Sequence, residues 1–393
     1  MQILISLILE LTFVNIIVIF LKLVNYRIIF LREDRIGHQA GDFETELNIA
    51  NKQLKDFKIK TIFVFWEKER NLANKYLRII NFESTKKFGH IPFDMNSHLI
   101  FRFFTKLISN GLIKNRKNLY KSSMHREGGT NIPVIRKSII HKKILEDMGI
   151  DPLNYICIYS RDSKYLSERF GEINFNYHSY RNSDIDNLRM LSEYVADNFS
   201  QSVIRIGSNV ETKLTWASNR GKAKIFDYAN SKERTDRNDI ELIAGCNLYI
   251  SNGGGIGAVA YAAKVNVIAI NQIPIGLSFA NNMIFIPKLL IRKKDSSYLS
   301  FKQIIEIDLG LATKTENYSN KGVILKENEE QEILNLYLDY IKFKTNSFNL
   351  EEIEIINRYK NLKIKLAKNL NKNIYGDSFV APSFLFKYKK LLL

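Results

Sequence analysis

Between Asn154 and Asn271 the chain alternates short apolar runs with segments of helical period. The runs are "YICIYS", "SVIRIG", "KIFDYA", "NLYIS" and "VNVIAI". Between them lie "SDIDNLRMLSEYVADNF", "NDIELIAGC" and "GAVAYAA". In the first of these, Ile185, Leu188, Leu191 and Val195 share one helical face. Ser183 with Asp186, and Asn238 with Glu241, have the spacing of helix-capping pairs. Strands that alternate with helices can bury both elements only as a parallel sheet covered on its faces. Such sheets bind ligands beyond the carboxyl ends of their strands.

Chemistry gathers at those predicted ends. Arg161 and Asp162 follow "YICIYS". His178, Arg181 and Asn182 precede the first helix. Arg205 lies in "VIRIG" with Gly207 beyond it, and Asp227 lies in "IFDYA". "NLYIS" ends at Ser251 and runs into Asn252, Gly253, Gly254 and Gly255. Arginine forks match phosphate oxygens, and free amides at a helix start point at anions. Together these residues predict a site for a nucleotide diphosphate. Taken singly, a glycine turn serves close packing as readily, and one strand-end arginine serves a surface ion pair. Asp184 and Asp186 read as helix-start electrostatics, although "DID" imitates a metal motif.

Gly253, Gly255 and Ala258 fit the dinucleotide fingerprint G-x-G-x-x-A. That fingerprint asks for an acid at the end of the next strand, where this chain has Asn271-Gln272, and for the first unit of the sheet. Both points argue against NAD. No Gly-Lys-Ser/Thr follows, so there is no Walker A loop.

Upstream, "NYRIIFL" and "KTIFVFW" read as strands, with "REDRIGHQAGD" as a polar turn after the first. The pattern breaks at "GIDP". This gives domains at 24–150 and 151–330, followed by a helical segment 331–393 expected to pack back on the N-terminal domain. Residues 1–23 form an apolar stretch with one acid, Glu10, long enough to contact or span a bilayer. Lys22 at its end and Arg27, Arg32 and Arg35 beyond it, by the positive-inside tendency, keep the remainder cytoplasmic. Lys plus Arg outnumber Asp plus Glu 58 to 41, a formal charge of +17. The basic residues are scattered rather than striped, in a chain rich in Ile, Asn and Lys, which argues against nucleic acid as a partner. Cys157 and Cys246 sit in or beside apolar runs, with no CxxC or Cys/His cluster, so no zinc site is expected.

At these residues a resemblance emerges. "RDSKYL", "YHSYRNSDIDNL", "VIRIGS", "FDYA" and "NDIELIAGCNLYISNGGGIGAVA", with "REDRIGH" near the start and "APSFL" near the end, resemble a family of bacterial glycosyltransferases of surface-polysaccharide gene clusters. Where this chain has Asn252-Gly253-Gly254, that family often has serine-rich small residues. The resemblance implies a GT-B-like α/β fold: two Rossmann-like domains facing a cleft, with an N-terminal apolar helix and C-terminal helices. It implies transfer of a sugar from a nucleotide-sugar donor to a glycan or lipid-linked acceptor, at the cytoplasmic face of the inner membrane. The donor is a substrate; no cofactor and no metal are expected, because such enzymes handle the leaving diphosphate with arginines and amides.

The acceptor hydroxyl must lose a proton, and the base is expected from the N-terminal domain. His38, in the turn after the first strand, is the first candidate and Asp42 the second, with Asp34 and Glu44 as neighbours. Two alternatives stay open at this level. One is a nucleotide-sugar epimerase of similar fold; the other is a non-catalytic basic binding protein.

Overall fold

A computed structural model describes residues 25–94, 135, 139–170, 176–218, 220–221, 223–276, 283–369 and 378–393. They fall into two units, 25–94 and the residues from 135 onward. The N-terminal apolar stretch 1–23 lies outside the described residues. Among the described residues, no helix is long and apolar enough to cross a membrane.

The first unit is a βαβαβ fold. Strand β1 (Tyr26–Phe30) leads to helix α1 (Phe43–Phe57), β2 (Lys60–Phe65), α2 (Lys75–Lys87) and β3 (Ile91–Asp94). The strands pair in parallel in the order β1-β2-β3. Alternate strand residues Ile29, Phe63 and Phe65 meet Phe43, Leu47 and Ala50 of α1 in one buried cluster. Phe43 packs edge-on to Phe63, with ring centroids 5.6 Å apart. Asn74 caps α2 by accepting from the Leu77 amide at 2.8 Å. The polar segment after β1 is not a free turn. From His38 to Asp42 it is a wide π-type turn that runs straight into α1.

The second unit begins with α3 (Ile139–Asp147), so residues 135–150, read from the sequence as the end of the first domain, belong here. Next come β4 (Tyr155–Tyr159), α4 (Lys164–Phe170), α5 (Arg189–Asn198), β5 (Ser202–Arg205) and β6 (Ile225–Phe226). They are followed by α6 (Asp236–Gly245), β7 (Tyr249–Ser251), α7 (Gly257–Ala262), β8 (Val267–Gln272), β9 (Ile284–Pro287) and β10 (Leu289–Arg292). The remainder is α8 (Phe301–Glu306), α9 (Thr315–Asn320), β11 (Val323–Lys326), α10 (Glu330–Lys344), α11 (Leu350–Asn369), β12 (Phe379–Val380) and α12 (Pro382–Lys387).

Seven of these strands form one parallel sheet in the order β12-β9-β8-β7-β4-β5-β6. From β4 the chain winds outward through β5 and β6, then returns to β7 beside β4 and winds the other way. The connections therefore diverge between β4 and β7, and their carboxyl ends frame the crevice where doubly wound sheets bind ligands. Short strands read as continuous apolar runs because both faces are covered: β4, β7 and β9 are buried along nearly their whole length. Cys157 and Cys246 are free and buried.

Three sequence expectations need correction. The segment after residue 330, expected to pack back on the N-terminal domain, belongs to the second unit: α10 lies against α5 and β9, and β12 extends the sheet beside β9. Its apolar face had been legible, but not the surface it covers. Ser183 caps no helix, since its hydroxyl meets Ser160 and Asn271, and α5 starts only at Arg189. Helix α6 is capped by Thr235, which accepts from the Asn238 amide at 3.1 Å.

Candidate functional site

The segment Asn176–Leu188 arches over the carboxyl ends of β4 and β7, and almost every residue of "YRNSDI" anchors it. Asn252, just past β7, accepts from the Arg161 amide at 2.9 Å and donates to the Arg181 carbonyl at 2.8 Å. One side chain thus ties β4, β7 and the arch. The Ser183 amide donates to the Arg161 carbonyl at 3.0 Å. The Ser160 hydroxyl donates to the Ser183 carbonyl at 2.5 Å. Farther along, the Asp184 amide and Asn187 both donate to Glu327, at 2.9 and 3.1 Å. Tyr180 stacks on Tyr318 of α9, centroids 5.6 Å apart, while Thr315 accepts from the Tyr180 amide at 3.1 Å.

Three cations meet under this arch. The Arg161 guanidinium is 6% exposed; it donates to the His178 carbonyl at 3.2 Å and to Asn182 Oδ1. Lys288, just past β9, is 4% exposed; it donates to the Asn182 carbonyl and lies 3.4 Å from Glu327. Arg181 is half-buried, with its guanidinium 5.6 Å from the Tyr180 ring and its Nε buried without a hydrogen-bond partner. His178 adds a ring tilted against that of Tyr177, centroids 4.0 Å apart. Burial, with Arg181 beside it, pulls the Arg161 pKa below the ordinary arginine value. Burial also lowers that of Lys288, against the pull of Glu327. Cations resist burial without counter-charge; among the described residues Glu327 lies against Lys288, and Asp162 acts electrostatically on Arg161.

The glycine turn resolves residue by residue. Gly253 adopts φ +82°, a left-handed conformation that favours glycine, and the space where its Cβ would sit is open. Gly254 is different: a Cβ there would lie 2.2 Å from Cε1 of Tyr159. Close packing explains that glycine, so bulk at Gly254 does not probe a phosphate cradle. Gly255 leads into α7, which starts at Gly257 and has six residues, too short to carry much macrodipole. Ser251 is the last, buried residue of β7.

Four predicted contacts stand apart from this cluster as structural supports. Arg205 is 1% exposed and turns beneath the loop that follows β5, donating to the Thr212 carbonyl and lying 3.6 Å from Asp227. Asp227 also accepts from the Leu214 amide at 3.0 Å and from Asn230 at 2.7 Å. Asp162 accepts from the Lys164 and Glu211 amides, both at 3.1 Å, and burial raises its pKa. At Gly207 a Cβ would meet Val210 at 2.9 Å, so packing again requires glycine. All four hold the 208–216 loop against β4–β6. An arginine in a strand points to alternate faces, and the sequence does not state which.

Sequence reasoning missed Lys288, Glu327 and Tyr159. A signal for the first existed: Lys288 is a lone cation between the apolar runs "MIFIP" and "LLI", where burial is hard to avoid.

In the first unit, His38 Nδ1 and Asp42 Oδ2 lie 2.8 Å apart across one turn of helix. The wide π-type turn sets that pair; such turns recur at functional sites. With Asp42 accepting from Nδ1–H, Nε2 is the basic nitrogen, the arrangement that orients a histidine for proton abstraction. The neighbouring acids are otherwise engaged. Asp34 binds Arg32 with both oxygens, at 2.7 and 3.0 Å, and buried Glu44 accepts from Asn48 at 3.2 Å. Nearby, Arg78 joins Glu33 at 2.8 Å and Asp94 at 3.0 Å, and burial pushes the Glu33 carboxyl up to about 7. Among the described residues, no three His, Cys, Asp or Glu side chains group so as to hold a metal ion.

No family model and no curated protein matches the chain. The solved structures that the chain matches include glycosyltransferases. A glycosyl transferase family 9 protein from Veillonella parvula DSM 2008 is 12% identical, with a TM-score of 0.36, over 75% of this chain and 95% of that one. The E. coli heptosyltransferase WaaC with ADP-2-deoxy-2-fluoro heptose is 9% identical, with a TM-score of 0.32, over 66% and 92%. The iron-containing dodecameric glycosyltransferase TibC from enterotoxigenic E. coli H10407 is 11% identical, with a TM-score of 0.32. That match covers 63% of this chain, which spans 57% of TibC.

Proposed function

We propose that the chain is a glycosyltransferase that moves a sugar from a nucleotide-sugar donor to a glycan acceptor. The second unit holds the donor diphosphate, and His38, oriented by Asp42, takes the proton from the acceptor hydroxyl. The observation that carries this reading is the gathering of buried Arg161 and Lys288 with half-buried Arg181 under the arch at the carboxyl ends of the strands. Fixed cations in a dry setting stabilise the charge that develops on a departing diphosphate. They supply that stabilisation without a bound metal, so activity should survive a chelator. The sequence resemblance extends the reading to surface-polysaccharide synthesis, with a lipid-linked acceptor at the cytoplasmic face of the inner membrane. Residues 1–23 would then hold the enzyme to that membrane.

The test is a thermal-shift screen of the full chain against ADP-, UDP-, GDP- and CMP-sugars, followed by product analysis with mixed glycan acceptors. Stabilisation by one donor class, with acceptor-dependent release of the nucleoside diphosphate, supports the proposal. A donor whose sugar is rearranged with no acceptor present would mark an epimerase instead. No stabilisation by any donor at millimolar concentration would overturn the reading.

A further inference from the structure

Tyr159 is the last residue of β4 and pairs with Ser251, the last of β7, so it stands where the connections diverge. Its ring lies directly on the glycine turn: a Cβ at Gly254 would be 2.9 Å from the Tyr159 hydroxyl oxygen. The adjacent Gly253 leaves open space. Both Arg161 and Arg181 are close enough to act electrostatically on the phenol.

Buried tyrosine hydroxyls ordinarily find a partner, and in this unit several do. Tyr155 donates to the Leu242 carbonyl at 2.8 Å, Tyr228 to Asp239 at 2.9 Å, and Tyr318 to the Ala312 carbonyl at 2.8 Å. Tyr249 is without one, but it sits deeper, near Cys157 and Cys246. Tyr159 is only partly buried: among the described residues its hydroxyl has no protein partner, and it is not one of the buried unpaired atoms, so water reaches it at the carboxyl end of β4. Burial pushes its phenol up to about 12, so at neutral pH it keeps its proton and is a donor. The buried Arg181 Nε is a second donor without an acceptor at the same place. A water-accessible phenol O–H, a buried Nε–H without a partner and a second guanidinium, set beside an open glycine, form a group of donors that an oxygen-rich anion fits.

We propose that Tyr159 is a binding residue for that anion, its hydroxyl donating to an oxygen of the nucleoside diphosphate beside the Gly253–Gly254 turn. This rests on the nucleotide-sugar reading above and adds a residue to it. A phenol O–H donates to any oxygen acceptor; Arg161 and Arg181 beside it favour a phosphate oxygen over the base or the sugar.

Tyr159→Phe keeps the ring on Gly254 and removes only the hydroxyl. Calorimetric titration of the full chain would use whichever of ADP, UDP, GDP or CDP binds the native protein, and the matching nucleoside. A hydrogen bond to a charged group predicts roughly 10- to 150-fold weaker binding of the diphosphate. Nucleoside affinity and the melting temperature should stay as in the native protein. Equal diphosphate affinity in Tyr159→Phe and the native protein would overturn the inference and leave the proposed function standing. An equal loss for nucleoside and diphosphate would also overturn it, because the hydroxyl would then be shaping the turn. Absence of binding by every diphosphate to the native protein would overturn both.

Discussion

Gly254→Ala is expected to destabilise the second unit through a single contact. The added methyl would sit 2.2 Å from Tyr159 Cε1 and 2.9 Å from Cζ, far inside van der Waals contact. The ring must move by more than an ångström or the turn must open. Overpacking of this kind costs about 1–3 kcal/mol. Backbone strain adds nothing, since Gly254 is not among the glycines with positive φ. The decisive measurement is a double-mutant cycle by urea unfolding, using Gly254→Ala, Tyr159→Ala and the pair. Removing the ring makes room for the methyl, so Gly254→Ala should cost little in the Tyr159→Ala background. The interaction energy should then be about 1–3 kcal/mol, the range for residues in contact. Gly253→Ala is the internal control. It meets no atom but takes φ +82°, so about 1–2 kcal/mol of backbone strain should appear whichever residue occupies position 159. Additive costs for Gly254→Ala and Tyr159→Ala would refute the packing argument.

His38→Ala should lower turnover by about 10²-fold or more, the range for general acid–base catalysis, with donor affinity unchanged by titration; unaltered turnover would remove His38 from the mechanism. Stability should carry a signature of Glu33, whose carboxyl burial pushes up from 4.5 to about 7. A folded-state pKa above the unfolded one means stability that is full below pH 4.5 and lost as pH rises through about 7, amounting to about 3 kcal/mol at most. Glu33→Gln should flatten that slope in denaturant titrations from pH 5 to 8, and identical slopes would show that the carboxyl is not held protonated.

What could be read from the sequence followed range. Strand and helix in the second unit were legible because both periodicities are local, and the alternation admits only a parallel order. His178, Arg181 and Asn182 were legible as polar residues ahead of a helix, but the arch they belong to, Asn176–Leu188, depends on partners far along the chain, such as Asn252, Thr315 and Glu327. Arg161 and Arg205 look alike in sequence, each at a strand's end. One lies under the arch among carbonyls and cations; the other pairs with Asp227 below a neighbouring loop. Only the third dimension separates them. The glycine turn invited one explanation for three residues, whereas φ explains Gly253 and a ring explains Gly254. His38 and Asp42 were named as rivals for the same task. The π-type turn makes them partners, a geometry that residue types alone do not announce.

The central claim is that buried cations at the carboxyl ends of β4, β7 and β9 exist to hold a diphosphate. The most direct measurement is titration of nucleoside diphosphates into the native chain and into Lys288→Met, which keeps all but the terminal atom of the side chain's length and removes its charge. Losing one charge-assisted contact from a desolvated site should weaken binding roughly 10- to 150-fold. The affinity of the native protein should also fall as salt is raised, though less steeply than for an exposed site. Binding of equal strength in Lys288→Met and the native protein, or none in either at millimolar nucleotide, would contradict the account.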